Sequence, residues 1–455
     1  MLYGGGNYNQ NQNNGAFYLN GNNAASNKNA NIGSHILTDI RHNNHGLFAL
    51  HRAISIGMDF AQLLLKIMPI RDRLVHPKRT LEHLSGVKEI IRDPMKRVKN
   101  LFPELISEEN LKKAITTVIK SHRWVQYPDI PNKAAKWLED TIDERVTELK
   151  NIILDGYIPN EVTRKKRYDR NARKWRDICE PKMFPDQCVH HALIQVVEPV
   201  MMRGMDKWCC GSIKQRGAHY GVNAIKKWMK KDKSGARYCL EADIYHFYDS
   251  LQADVVMQRM KELIKDHEVL DLMERILSDG VQIGAYCSQW FANTFLQPLD
   301  HAIRENFKAC HYIRYMDNFT IFCNRKREIK RILKFIQDWL KDHGLKLKGN
   351  WQIYRTDKRM PNALGYRYGR DFTILRKQAF LTLKRQLRSY YKLRARGNHV
   401  SVKFAQALIS RLGMMTHCNN YHFYQRFYRK HTRRHLKDII RSWQRSFAAA
   451  SPVAA

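Results

Sequence analysis

Two aspartates lie where strand-forming segments end, and together they could hold divalent cations. Asp243 closes the apolar segment 237–244, and Asp317 separates two segments rich in aromatic and β-branched residues, 311–315 and 319–323. The Asp317-Asn318 dipeptide favours a tight turn, which predicts a β-hairpin with Asp317 at its tip. Carboxylate oxygens at two such strand ends are the hard ligands that Mg²⁺ prefers.

Paired Mg²⁺ ions at these carboxylates predict nucleotidyl transfer. Two ions activate a 3′-hydroxyl, stabilise the pentacoordinate phosphate and neutralise the leaving pyrophosphate. The alternative from these residues alone is an ordinary hairpin turn and a surface aspartate. The segment 280–293 favours the catalytic interpretation, because its glycines precede the start of a long apolar-periodic helix and permit a base pair to approach the backbone.

The chain resembles the reverse transcriptase family, because four of the family's blocks occur in the right order along residues 101–445. Asp243 to Tyr248 resembles the first catalytic block, and Tyr315 to Asn318 resembles the tyrosine-x-aspartate-aspartate hairpin. Ile283 to Gln289 resembles the helix-opening block, and Ala363 to Tyr368 resembles the hairpin that grips the primer end. The resemblance implies an α+β right-hand polymerase with fingers, a palm of antiparallel sheet plus helices, and a helical thumb.

The resemblance also divides the chain into six parts. They are an asparagine-rich, disordered tail at 1–34, a helical extension at 35–100, fingers with the start of the palm at 101–240, the catalytic palm at 241–370, a basic helical thumb at 371–445 and a tail at 446–455.

The catalytic residues implied by the resemblance are Asp243, Asp317 and Asn318. Asp243 and Asp317 would be the principal ligands of two Mg²⁺ ions, with Ile244 as a further ligand. Asn318 stands where the family has a second aspartate. This departure lowers the negative charge of the site, which weakens metal binding more than it removes the site. It also leaves open an inactive scaffold that binds RNA.

The incoming nucleotide would meet five residues. The resemblance implies that Arg176 grips the triphosphate, since a guanidinium matches phosphate oxygens bidentately. Tyr248 would exclude a ribose 2′-hydroxyl, and Ile283, Gly284 and Gln289 would face the new base pair. The alternative for Arg176 is a solvated basic hairpin.

The primer and template would meet two turns, through Tyr315, Met316, Leu364 and Gly365. Lys346 and Lys348 fall where family members carry a lysine proposed to protonate pyrophosphate, and the sequence does not choose between them.

The isoleucine-glycine-x-x-x-serine-glutamine form at 283–289 is similar to that of diversity-generating retroelements, whose reverse transcriptases copy a template RNA with errors at adenines. An apolar Ile283 would not brace the nascent base pair, so mispairs would cost less relative to correct pairs. The alternative is that Ile283 only packs into the palm. Another bacterial reverse transcriptase, such as one used in phage defence, also remains open.

Residues 1–34 contain eleven asparagines and cannot form a core. The segment 15–33 resembles the variable end of the lectin-like proteins that these retroelements diversify, as if a template repeat were translated. The alternative is a flexible low-complexity tail.

The charge predicts nucleic-acid partners. The chain has 79 Lys plus Arg against 43 Asp plus Glu, a formal net charge of +36 and a pI near 9.9. Basic and aromatic residues alternate along 376–445, as expected of a thumb that tracks a phosphate backbone. The partners implied are template RNA, cDNA and a small basic oligomeric accessory protein, the last by resemblance alone.

Nine cysteines without a CxxC pair favour reduced thiols and a cytoplasmic location. The most apolar stretch, 53–70, is interrupted by Asp59 and Lys66 and predicts an amphipathic helix, so no membrane partner is expected.

Overall fold

The structure is a computed structural model that describes residues 96–122, 132–169, 174–307 and 309–449. All of them belong to one compact unit, Met95–Ala455. The predicted tail at 1–34, residues 35–95 of the predicted helical extension, with the predicted helix within 53–70, and residues 450–455 lie outside the described residues.

The first described helices are α1 (Phe102–Leu105), α2 (Glu108–His122), α3 (Lys133–Asp140) and α4 (Ile142–Leu154). Helix α2 is amphipathic and turns its apolar face, with Leu111, Ile115 and Val118, toward the long helix α5 (Cys188–Arg203). The start of α1 is anchored by Asp266, whose Oδ2 accepts hydrogen bonds from two backbone amides, Leu101 N at 2.7 Å and Phe102 N at 3.1 Å.

A two-stranded antiparallel hairpin, β1 (Thr163–Asp169) with β2 (Lys174–Glu180), lies between α4 and a short π-helical turn, Met183–Gln187. Its register places Arg167 opposite Arg176 and Tyr168 opposite Trp175. Since side chains alternate along a strand, Arg176 and Trp175 point to opposite faces.

The central sheet has the order β4-β5-β3-β6, with every neighbouring pair antiparallel. The four strands are β3 (Tyr238–Asp243), β4 (His311–Tyr315), β5 (Asn318–Cys323) and β6 (Gln352–Arg355). Helix α6 (Ala218–Lys231) precedes β3. Between β3 and β4 lie the helices α7 (Phe247–Ser250), α8 (Ala253–Leu263), α9 (His267–Ile276), α10 (Tyr286–Phe295) and α11 (Gln297–His301), and the π-helical turn Ala302–Asn306.

Helix α12 (Lys326–Asp342) follows the sheet hairpin and covers β3 and β5. Its apolar positions recur at helical spacing, and Ile329, Ile332, Ile336 and Leu340 are all fully buried. The sheet is therefore fixed on this side by an apolar layer, which holds the strand ends rigidly.

The C-terminal part has a second small sheet and four helices. The strands are β7 (Asn362–Ala363), β8 (Tyr366–Tyr368) and β9 (Thr373–Leu375), and the helices are α13 (Lys377–Ala395), α14 (Val402–Met415), α15 (Tyr421–Phe427) and α16 (Thr432–Ala449). Tyr366, Tyr368 and Leu408 share one core with α6 and the central sheet. This part thus packs continuously onto the sheet.

The mixed helix and sheet architecture is confirmed, with the antiparallel sheet that was predicted. The helix after Gly284 is shorter than its apolar pattern predicts, because α10 ends at Phe295 and a separate helix follows at Gln297. All nine cysteines lie in the described residues and are free thiols. None of the helices in the described ranges is both long and apolar enough to cross a bilayer.

Candidate active site

The end of β3 and the turn after β4 bring Asp243 and Asp317 together. Asp243 is paired with Asn318 across the β3–β5 ladder, and the amide of Ile244 donates to the carbonyl of Asp317 at 3.1 Å. Burial raises the pKa of Asp317 to about 6, helped by a hydrogen bond and the negative charge of Asp243. The two carboxyl groups are therefore neighbours, as the sequence predicts.

Asp243 also binds Lys348. The Lys348 amide donates to the Asp243 carbonyl at 2.8 Å, and its ammonium forms an ion pair with Asp243 Oδ2. The other carboxylate oxygen, Asp243 Oδ1, is buried and accepts no hydrogen bond from the part of the chain that the structure describes. A buried carboxylate oxygen without a donor is costly unless a cation fills the place.

These residues fit Mg²⁺ as two carboxylates and one backbone carbonyl. The Ile244 side chain is fully buried and its amide is bonded to Asp317, so only its carbonyl could serve as a ligand. Among the described residues no cluster of three or more His, Cys, Asp or Glu could hold a metal. That sparse donor set suits Mg²⁺, which binds through one or two carboxylates and keeps substrate phosphates and waters as its other ligands.

The hairpin turn lies one residue earlier than the sequence predicts. Met316 adopts φ +55°, Asp317 follows it, and Asn318 is already the first residue of β5. A Cβ on Gly211 would lie 2.7 Å from the Met316 amide nitrogen, so only glycine fits beneath the turn. The exposed Asn318 side chain donates from Nδ2 to Asp317 Oδ1 at 2.9 Å and thereby orients the carboxyl.

A buried polar network that no sequence motif predicts supports this turn. Arg314 donates from Nη1 to the Met316 carbonyl at 3.0 Å and to Asn293 Oδ1 at 2.9 Å. It also forms a bidentate pair with Asp300, and Tyr312 donates to the same carboxylate. The available signal was the presence of Asn293 and Asp300 within the segment 290–303, most of whose other residues are apolar.

Tyr248 lies near Asp317 and is partly buried on the short helix α7. Burial raises the pKa of its hydroxyl, and the negative charge of Asp317 raises it further. The Tyr248 hydroxyl is thus within electrostatic range of Asp317. Its contact with a sugar stays a prediction.

The loop with Ile283 and Gly284 contacts strand β2. The Cys179 amide donates to the Ile283 carbonyl at 2.8 Å. Gly284 has φ +117°, and a Cβ there would lie 2.2 Å from the Cys179 carbonyl oxygen. Glycine is therefore required by both conformation and space. Arg176 lies on the same strand, so this contact fixes the position of the arginine relative to the loop.

The nucleotide-binding roles of Arg176, Ile283, Gly284 and Gln289 stay predictions. Ile283 and Gly284 contact Cys179 of β2. The two aspartates instead contact each other, and Asp317 contacts Asn318 while Asp243 contacts Lys348. Gln289 is exposed on the first turn of α10.

Leu364 and Gly365 form the turn between β7 and β8, both with positive φ, +54° and +87°. The Leu364 side chain covers Gly221 of α6, where a Cβ would lie 2.5 Å from Leu364 Cδ1. Tyr315, at the end of β4, is 38% exposed. Primer or template contacts by these residues and by Met316 stay predictions.

Residues 163–358, from β1 past β6, match the family model described as reverse transcriptase (RNA-dependent DNA polymerase). This segment is a reverse transcriptase domain. It contains Asp243, Tyr248, Ile283, Asp317 and Lys348, and it ends before the Leu364-Gly365 turn.

The reverse transcriptase domain is also similar to proteins encoded by group II introns. Group II intron-encoded protein LtrA of Lactococcus lactis subsp. cremoris is 24% identical over 233 residues, which cover 47% of this chain and 37% of LtrA. Nuclear intron maturase 1, mitochondrial, of Arabidopsis thaliana is 26% identical over 98 residues, 22% of this chain and 13% of the maturase. The chain thus spans little more than a third of the length of LtrA.

Proposed function

We propose that this chain is an RNA-directed DNA polymerase that makes cDNA by two-metal nucleotidyl transfer. The observation that carries the proposal is the adjacency of Asp243 and Asp317 at the end of the central sheet, with a donor-free buried oxygen on Asp243. In a reverse transcriptase domain this pair would hold two Mg²⁺ ions, which supply Lewis-acid activation of the primer hydroxyl and stabilisation of the phosphoryl charge.

The chain's own residues would position the reactants. Asp243, Asp317 and the Ile244 carbonyl bind the ions, and Tyr248 closes the space beside the sugar. Arg176, held against the Ile283-Gly284 loop through β2, neutralises the triphosphate. Asn318 orients the Asp317 carboxyl by its hydrogen bond, so its contribution is positional.

Template RNA and cDNA would lie along the C-terminal helices, in the right-hand arrangement with fingers at 101–240, palm at 241–370 and thumb at 371–445. The basic residues of α13 to α16 would follow the phosphate backbone, so binding would weaken steeply with salt. Tyr390 and Phe423 are buried in the shared core, whereas Tyr421 is 68% exposed. Most of the aromatic residues of these helices therefore serve the core, since Tyr391, Tyr424, Phe427 and Tyr428 are partly buried against it as well.

We further propose that the polymerase belongs to a diversity-generating retroelement and misincorporates opposite template adenines. The support is the apolar Ile283 before Gly284. Its carbonyl accepts a hydrogen bond from the Cys179 amide of β2, and its side chain is half-buried. A side chain without hydrogen-bonding groups checks base-pair geometry weakly. A small basic accessory oligomer, bridged by RNA, would be its protein partner.

Two measurements test these proposals. Primer extension with the purified chain, an RNA template, a DNA primer and Mg²⁺ tests polymerase activity. Sequencing of the cDNA tests the subgroup, which predicts errors concentrated at template adenines and fewer such errors in Ile283→Gln. Ile283→Val is the matched control and keeps the wild-type error pattern. Uniform errors in the wild type would assign it to another class of bacterial reverse transcriptase.

The alternative from a different class is an inactive RNA-binding scaffold, favoured by the asparagine at position 318. It predicts RNA binding with no extension of any primer at any Mg²⁺ concentration. Extension by the wild type excludes it.

A further inference from the structure

The ammonium of Lys348 lies against the carboxylate that the proposed reaction needs for metal. It pairs with Asp243 Oδ2, while Asp243 Oδ1 is buried without a donor. The Lys348 and Asp243 side chains are 30% and 26% exposed, so neither is free in solvent. Lys348 is thus the cation that balances Asp243 in this structure.

The backbone fixes this lysine beside the site. Its amide donates to the Asp243 carbonyl at 2.8 Å, and the preceding residue, Leu347, forms an antiparallel bridge with Ile244. Only the side chain can move away. The ammonium can therefore leave Asp243 without any change in the strands that carry the aspartates.

We propose that Lys348 is a positioning residue that pairs with Asp243 Oδ2 in the metal-free protein and is displaced from it when a divalent ion binds the Asp243 carboxylate. The inference rests on the proposed function, because it takes Asp243 as a metal ligand. Metal binding would have to break the Lys348–Asp243 ion pair, so Lys348 lowers the metal affinity of the free protein. The freed ammonium then lies next to the polyphosphate that arrives with the nucleotide.

Lys346 provides a matched control two residues away. Its ammonium lies over the Tyr245 ring, 4.6 Å from the centroid, and its side chain is exposed. It shares the charge and the segment of Lys348 but does not pair with Asp243. Substituting it removes the same net charge from nearly the same place on the chain.

The first experiment measures Mn²⁺ binding to the full chain without nucleotide or primer, from the free-ion signal in electron paramagnetic resonance. Lys348→Met is expected to lower the Kd about fivefold or more, as loss of a directly paired charge requires. Lys346→Met should change the Kd by less than about twofold, since exposed charges are screened. Lys348→Arg should bind no more tightly than the wild type. Equal Kd values for Lys348→Met and the wild type would overturn the inference.

The second experiment uses the unaltered protein. Lysines are acetylated with a water-soluble, amine-reactive acetyl donor, with and without saturating Mg²⁺. Mass spectrometry follows the rate of acetylation of each lysine. Lys348 should react faster with Mg²⁺, while Lys346 reacts equally in both conditions. An unchanged Lys348 rate, in a wild type that extends primers, overturns the displacement and leaves the polymerase intact. A wild type that neither binds Mn²⁺ nor extends primers overturns both proposals.

Discussion

Arg314 and Asp300 form a fully buried, bidentate ion pair beneath the turn that presents Asp317. Arg314 Nε donates to Asp300 Oδ1 at 2.7 Å and Nη2 donates to Oδ2 at 2.6 Å, with both side chains shielded from solvent. The same guanidinium holds the Met316 carbonyl. The turn therefore derives its position from a charged pair inside the core, and the geometry of the Asp243 and Asp317 carboxyl groups depends on it.

Asp300→Asn should destabilise the protein by about 3–5 kcal/mol, because it leaves the Arg314 charge buried without its counter-ion. The matched control is Asp338→Asn, which removes the partner of Lys334 from a surface pair at 3.0 Å and should cost less than about 1 kcal/mol. Urea unfolding measures both. Equal losses for the two variants would show that the buried pair does not stabilise the turn.

The raised pKa of Asp317, about 6 against an ordinary 3.8, sets the pH dependence of metal binding. The metal-free folded protein holds this proton more tightly than the unfolded chain does. The group's contribution to stability is therefore present below about pH 4 and is lost as the pH rises through about 6. Mg²⁺ at the proposed site would bind Asp317 as the carboxylate and should act in the opposite direction.

The expected result is a rise in melting temperature on adding Mg²⁺ that is larger at pH 7.5 than at pH 5, because protons compete with the ion at pH 5. Thermal unfolding at both pH values, with and without Mg²⁺, checks it. Asp317→Asn is the control. It removes the titrating carboxyl group, so the rise in melting temperature on adding Mg²⁺ should no longer depend on pH through position 317. The same Mg²⁺ effect at both pH values in the wild type would contradict the account.

Asn318→Asp should strengthen the metal site. The change adds a negative charge at an exposed position beside Asp317, which should lower the Mg²⁺ concentration for half-maximal extension roughly fivefold. Asn318→Ala removes the hydrogen bond without adding charge and should not lower it. Titration of primer extension with Mg²⁺ at pH 8 separates the two variants, and identical curves for them would mean that charge at this position is unimportant.

Tyr248 should set the preference for deoxynucleotides. Tyr248→Ala opens space beside the sugar and should reduce discrimination against ribonucleotides at least about tenfold, the effect of one small group in a close-fitting pocket. Tyr248→Phe keeps the ring and should discriminate like the wild type. Single-nucleotide incorporation with matched dNTP and rNTP measures the ratio. Unchanged discrimination in the alanine variant would place the sugar elsewhere.

The positions of the two aspartates could be predicted from the sequence because they depend on local patterns. A strand ending at Asp243 and a hairpin near Asp317 follow from β-branched and aromatic runs with a turn dipeptide between them. The predicted turn, Asp317-Asn318, lies one residue later than the observed one. Met316 is held at positive φ by contacts with Gly211 and Arg314, and no local sequence pattern contains these contacts.

Long-range pairings were not predictable in the same way. Lys348 meets Asp243 only because the segment before β6 returns to the end of β3, and the sequence left Lys346 and Lys348 equivalent. The Arg314–Asp300 pair likewise requires α11 to pack under β4. Burial of a charge depends on tertiary packing, so composition and periodicity do not reveal it.

The most direct test of the central claim is Mg²⁺-dependent primer extension by the wild type, Asp243→Asn, Asp317→Asn and the control Asp254→Asn. Asp254 is exposed, and its Oδ1 accepts from the amide of Val255, so asparagine should replace it without loss. The account predicts extension by the wild type and the control, and a loss of more than about a hundredfold in each of the other two. Extension at the wild-type rate by Asp243→Asn or Asp317→Asn would contradict it.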